Sequence, residues 1–210
     1  MTRRLAAAVV AAAVVLGACQ QPPAATPRPT AGSGPVVADG PGWRGVSVDG
    51  PVPAPGTCHY GGSSTAPLPD PSCTPGAVDA AVTQSTLAQT LCRSGGYTAS
   101  VRPPQAVTDA YKKLARAAYS STGSSASDEL DHLVPLGLGG ASSAQNLWPE
   151  PNVGDPRQYD RRATGGANAK DGVESRLNRA VCSGEVTLAA AQAAVATRWD
   201  TAETVLGVAP

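Results

Sequence analysis

Residues 129–151 read "ELDHLVPLGLGGASSAQNLWPEP". Apolar and polar residues alternate between Glu129 and Val134, the period of a strand with one buried face. Gly137, Gly139 and Gly140 then supply a turn, and Asn146, Leu147 and Trp148 begin a return strand that Pro149 is expected to break. Folding back in this way brings His132 and Asn146 near each other. Asp131 directly precedes His132, so on a regular strand the two side chains point to opposite faces. Both can serve one site only if the strand bends or bulges, which Pro135 and the following glycines permit.

Beyond this stretch, Val173, Leu177, Ala180 and Val181 recur at helical spacing up to Cys182 and Gly184. Leu188, Ala191, Val195 and Trp199 mark a second helix, with Thr187 as its N-cap. Asp171 and Glu174 are three apart on the first of these and share a face. On the other side, Val107, Tyr111, Leu114, Ala115 and Ala118 form the apolar stripe of an amphipathic helix, with Lys112, Lys113 and Arg116 on its opposite face. Five basic residues between Arg93 and Tyr119 (Arg93, Arg102, Lys112, Lys113, Arg116) meet one acid, Asp109, which makes this the locally basic stretch. It reads either as an ordinary solvated face or as a phosphate contact. Before it, "YTASVRPP" reads as extended, and Val78, Ala81, Val82, Leu87 and Leu91 as a short helical region ending at Cys92 and the Gly95-Gly96 turn.

The 210 residues carry 16 basic and 16 acidic side chains, so there is no global basic footprint for nucleic acid, and any anionic partner needs a local patch. With 23 Gly, 20 Pro and 15% charge, neither a coiled coil nor a charged disordered tail fits. Phe is absent, and a core must come mainly from Ala, Val and Leu. Residues Leu5–Ala18, preceded by Arg3 and Arg4, are too few to span a bilayer and read as a secretory leader. Its end, Leu16-Gly17-Ala18-Cys19, resembles the lipobox of bacterial lipoproteins, which implies lipidation of Cys19 and a membrane anchor. Between Gln20 and Thr57, nine Pro and seven Gly with no periodicity suggest a disordered tether, although Trp43 hints at partial docking. The expected division is a leader over 1–18, a Pro/Gly-rich linker over 19–76 and a folded domain over 77–210. Cys58, Cys73, Cys92 and Cys182 remain as an even set in a compartment that permits disulfides. Cys58 with Cys73 and Cys92 with Cys182 is the favoured of three pairings, and the absence of CxxC spacing argues against a four-Cys zinc site.

The run Asp131-His132, Pro135, Gly139-Gly140 and Asn146-Leu147 resembles the HNH endonucleases of the His-Me finger, or ββα-metal, superfamily. The helix "KDGVESRLNRAVCSG", Lys170–Gly184, is similar to that of a secreted subgroup. The resemblance covers residues 77–200, with the motif in 129–182. It implies an α+β fold with a small ββα core, additional packed helices and one divalent cation, Mg²⁺ or Mn²⁺. By the same resemblance, His132 is the general base, Asn146 orients it, and Asp131 binds the metal. The third family position, a His or Asn on the helix, has no His here. Asn168 is one candidate, and Asp171 or Glu174 could supply a carboxylate instead. Lys112, Lys113, Arg116, Arg157, Arg161, Arg162 and Lys170 are the candidates for backbone phosphates of DNA or RNA. An inactive nuclease fold acting as a surface binding module, or a purely structural lipoprotein, remains as the alternative.

Overall fold

The computed structural model describes residues 34–153 and 168–209, all in one unit running from Gly32 to Pro210. Its strands pair two by two. β1 (Val36–Ala38) runs parallel to β6 (Ala77–Asp79). β2 (Trp43–Arg44) pairs with β3 (Ser47–Val48), β4 (Gly61–Ser63) with β5 (Ala66–Leu68), and β7 (Asp128–His132) with β8 (Leu147–Pro151), all antiparallel. The helices are α1 (Thr98–Val101), α2 (Gln105–Ala118), α3 (Ala169–Ser183), α4 (Leu188–Arg198) and α5 (Ala202–Leu206). The fold is thus mixed α+β, and no described helix is long and apolar enough to cross a membrane.

In the ladder of β7 and β8, Glu129 faces Glu150, Asp131 faces Trp148 and His132 faces Leu147. Pro149 does not end β8 as expected. A two-stranded sheet leaves each strand one unpaired edge, where a missing N–H costs no ladder bond, and Pro149 lies opposite Leu130 inside the strand. Leu133, Val134, Leu138 and Trp148 share one core with Val173, Leu177 and Val181 of α3, Leu188, Ala191 and Val195 of α4, and Trp199. In a chain without Phe, the buried Trp148 and Trp199 supply much of the volume that small residues cannot. Thr187 caps α4 through its hydroxyl, which accepts from the Ala190 amide at 3.3 Å.

Three expectations change. The folded part begins well before Ala77: Trp43 donates from Nε1 to the Val101 carbonyl at 3.0 Å, Cys58 is buried, and β1 joins β6. Composition alone suggested a tether here because 34–76 has few apolar side chains. The segment is instead held by backbone pairing, by a disulfide and by glycines that let it lie flat. A Cβ on Gly42 (φ +82°) would stand 2.7 Å from the Ser143 amide nitrogen. Second, the region around 78–91 is β6 followed by a 3₁₀ turn at Gln84–Gln89, and "YTASVRPP" contains α1. Third, Leu114 is on the exposed side of α2, while Val107, Tyr111, Ala115 and Ala118 are buried as the spacing predicts. Cys58 bonds Cys73 and Cys92 bonds Cys182.

Candidate active site

β7 ends at His132, and Pro135 and the Gly139 left-handed turn (φ +77°) carry the chain away from it. A cavity of about 390 Å³ opens there, lined from β7 by Glu129, Asp131 and His132, from the following turn by Pro135 and Gly137, and from α3 by Asp171, Glu174 and Asn178. Asp131 and His132 do share this site. The cavity follows the strand from Glu129 onto the Pro135–Gly137 turn, so strand alternation does not separate them.

His132 is buried and its Nε2 lies 2.9 Å from Ser142 Oγ. Burial, with Arg102 and Lys170 adding their positive fields, pushes its pKa down to about 3, so the ring is neutral at physiological pH. Ser142 was not foreseen, and its place is set by the N-terminal segment: its amide donates to the Pro41 carbonyl at 2.7 Å.

Asn146 does not orient His132. Its Oδ1 accepts from the Val134 amide at 2.9 Å and the Ala77 amide at 3.2 Å, and its Nδ2 donates to the carbonyls of Val134 at 2.9 Å and Ala141 at 2.8 Å. All four amide valences go to backbone, so Asn146 staples the loop between the strands to β6. Asn178, which sequence reasoning passed over, lines the cavity and donates to the Gly137 carbonyl at 2.7 Å. Its spacing of four from Glu174 on one helix was the available signal.

Lys170 is 1% exposed and is not placed to meet phosphate. Its ammonium donates to Asp131 Oδ2 at 2.9 Å, to the His132 carbonyl at 2.8 Å and to Glu174. Burial alone would lower its pKa, but Asp131, Glu174 and Glu150 outweigh that and hold it above the ordinary lysine value. Asp131 also accepts from Trp148 Nε1 at 3.0 Å. The carboxylates outnumber this one ammonium. Burial and the neighbouring Asp131 and Asp171 raise Glu129 to about 7. Burial likewise raises Glu174, Glu150 and Asp171. Glu150, 2% exposed, leaves Oε1 without a hydrogen bond.

Asn168 lies outside the cavity lining. It caps α3 in a reciprocal box with Asp171 and accepts from the Val153 amide at 3.2 Å, so its side chain is engaged by the helix end and the backbone after β8. The basic helix is also differently employed. Lys112 donates to the carbonyls of Ser125 at 2.6 Å and Asp128 at 2.7 Å, and Arg116 pairs with the Asp128 carboxylate, which leaves Lys113 as the exposed member of the expected trio. Cys19, Arg157, Arg161 and Arg162 lie outside the described residues.

The donor set can be weighed against a divalent cation. Glu129, Asp131, Asp171 and Glu174 line one cavity against the single ammonium of Lys170, and after burial the fields of Asp131, Glu129 and Glu174 help to raise the buried Glu150. Hard oxygen donors in this number suit Mg²⁺. Among the described residues no three of them form a closed ligand group, and the Lys170 ammonium bonds both Asp131 and Glu174. Comparisons with family models, with curated proteins and with solved structures returned no match.

Proposed function

We propose that this chain hydrolyses phosphodiester bonds in nucleic acid, most readily DNA, with a divalent cation, as an exported enzyme anchored through a lipid on Cys19. The observation that carries the reading is a neutral, buried imidazole, fixed by one hydroxyl, opening on a cavity walled by four carboxylates at the end of a two-stranded hairpin. Together with α3 this supports a ββα core of the HNH kind. In the productive tautomer Nε2–H donates to Ser142 Oγ, which leaves the Nδ1 lone pair to take a proton from the attacking water. Asp131 and Glu174, with Glu129 or Asp171, would hold the cation, which supplies charge neutralisation at the phosphate and at the departing oxygen. Asn146 keeps the loop that carries Ser142 in register with His132. Lys170 fixes the Asp131 carboxylate and the His132 carbonyl, and so positions both side chains.

Plasmid digestion by the full-length chain tests this. Cleavage is expected with Mg²⁺ or Mn²⁺ and not with EDTA, and His132→Ala should lower the rate by about 10²–10⁴. No cleavage with any cation would reject the hydrolase. The Lys170 ammonium already bonded to Asp131 and Glu174 favours one second reading, an inactive nuclease fold that only binds nucleic acid, and the same digestion separates the two. For the anchor, Cys19→Ser should release the chain from the membrane fraction into the medium; retention there would refute lipidation.

A further inference from the structure

One group on the cavity wall makes no contact in the site described above. Arg102 lines the cavity together with Tyr97 and Thr98, directly after α1. Among the described residues its exposed guanidinium makes no hydrogen bond and no ion pair, whereas the other cations near the site are spent. Lys170 has three N–H donors and uses them on Asp131, Glu174 and the His132 carbonyl. Lys112 and Arg116 are committed to Asp128. The remaining charged groups on the cavity wall, Glu129, Asp131, Asp171 and Glu174, all repel an anion.

We infer that Arg102 is the phosphate grip of this cavity, taking the non-bridging oxygens of a phosphodiester in the fork of its guanidinium. The identity of the anion rests on the hydrolase reading; the anion site itself rests on the placement of Arg102. A guanidinium presents donors in a plane that matches two phosphate oxygens, and it stays charged at any working pH. Its platform is rigid before any ligand arrives. The Arg102 amide donates to the Thr98 carbonyl at 3.0 Å, and the Trp43 indole holds the Val101 carbonyl from the other side at 3.0 Å. Arg93 clasps the same loop through Ser100 Oγ at 2.9 Å while lying over the Tyr97 ring, and the neighbouring Cys92 is tied to Cys182 on α3. The N-terminal segment thereby serves both halves of the site, through Pro41 on Ser142 and Trp43 beside Arg102.

The test is fluorescence anisotropy of a labelled single-stranded DNA 12-mer on the full-length chain at low salt, once in EDTA and once in Ca²⁺, for the wild type, Arg102→Gln and Arg102→Lys. Arg102→Gln should weaken binding by about ten- to a hundredfold and reduce the slope of log Kd against log salt by about 0.7, the value for one contact to a single strand. Arg102→Lys should recover the salt slope and part of the affinity, because the charge returns without the fork. The melting temperature should not move, since the Arg102 side chain makes no hydrogen bond or ion pair with a described residue. In cleavage assays Arg102→Gln should raise KM more than it lowers kcat. An unchanged Kd for Arg102→Gln, or no binding by the wild type, would overturn the inference whether or not the protein cleaves. Binding that depends on Arg102 in a protein that never cleaves would reject the hydrolase and keep the anion site.

Discussion

Lys170→Met removes one positive charge from among buried carboxylates, and the size of the effect can be worked out. The balance lost is one unit, so one added proton restores it. At pH 7 placing that proton on a glutamate or an aspartate of ordinary pKa costs about 4 kcal/mol. The His132 carbonyl, which accepts from Lys170 at 2.8 Å, is orphaned as well, which adds about 1 kcal/mol. A deficit of about 5 kcal/mol at pH 7 follows, at the upper end of the range of about 3–5 kcal/mol for breaking a buried ion pair. Lowering the pH makes the compensating proton easier to acquire by about 1.4 kcal/mol per unit, so near pH 5 the deficit should shrink to about 2 kcal/mol. Urea unfolding of wild type and variant at both pH values in EDTA measures it. Millimolar Mg²⁺ should then stabilise the variant more than the wild type, because the cation replaces the ammonium. A deficit below about 1 kcal/mol at pH 7, or one equal at the two pH values, would refute the charge-balance reasoning.

Asn146→Ala strips four buried hydrogen bonds and should destabilise by about 3 kcal/mol or more, whereas Ser142→Ala should lose only about 1 kcal/mol of stability yet cut kcat about tenfold or more. Chemical unfolding and initial rates on the same samples check this, and the reverse ordering would return Asn146 to the role of orienting the base. His132 falls from 6.5 when unfolded to about 3 in the folded chain. Between those values only the unfolded chain takes up this proton, so stability rises with pH there, by at most about 1.4 kcal/mol per unit. His132→Gln in EDTA should flatten that dependence between pH 4 and 6, and identical pH slopes would contradict it. Replacing Cys92 and Cys182 by Ser opens a span of 90 residues against 15 for Cys58 and Cys73. The chain-entropy difference, about 4–5 against 3 kcal/mol, predicts the larger drop in melting temperature for the longer loop.

The elements that sequence reading placed well are those with an unambiguous period. The stripe Val107, Tyr111, Ala115, Ala118 is the buried side of α2, and the stripe Val173, Leu177, Ala180, Val181 is that of α3. Strand alternation likewise located β7, and the favoured cysteine pairing is the one observed. What was illegible is what period does not encode. Residues 34–76 have no sustained apolar pattern, and their order comes from backbone partners distant in sequence, such as Ala77 for Val36 and Ser142 for Pro41. Asn146 and His132 are near in space, but which polar atom an Asn meets depends on the path of the loop between them. That path turned its amide to Val134 and Ala141 and gave the imidazole to Ser142. Lys170 looked like a surface cation in the first turn of a helix. A lysine there is solvated by default, and only the three acceptors converging on it explain its burial.

A net charge of zero conceals a sharply divided distribution. Five of the described acids, Glu129, Asp131, Glu150, Asp171 and Glu174, gather around Lys170, where burial first and the neighbouring carboxylates second raise four of the five pKa values. Two of the three bases of the amphipathic helix, Lys112 and Arg116, are turned to Asp128 instead, and Lys113 is exposed. A polyanion approaching His132 therefore meets repulsion unless something inverts the local sign. On the proposed reading a divalent cation on the carboxylates would supply one half of that inversion, and the Arg102 guanidinium on the substrate's phosphate the other. With the cation absent, an anion held by Arg102 still faces several negative groups in the same cavity; with Arg102 absent, the cation must both bind and align the phosphate. On the proposed reading the site would take phosphodiesters together with a metal ion, and the salt dependence of binding should be steeper with Ca²⁺ bound than in EDTA.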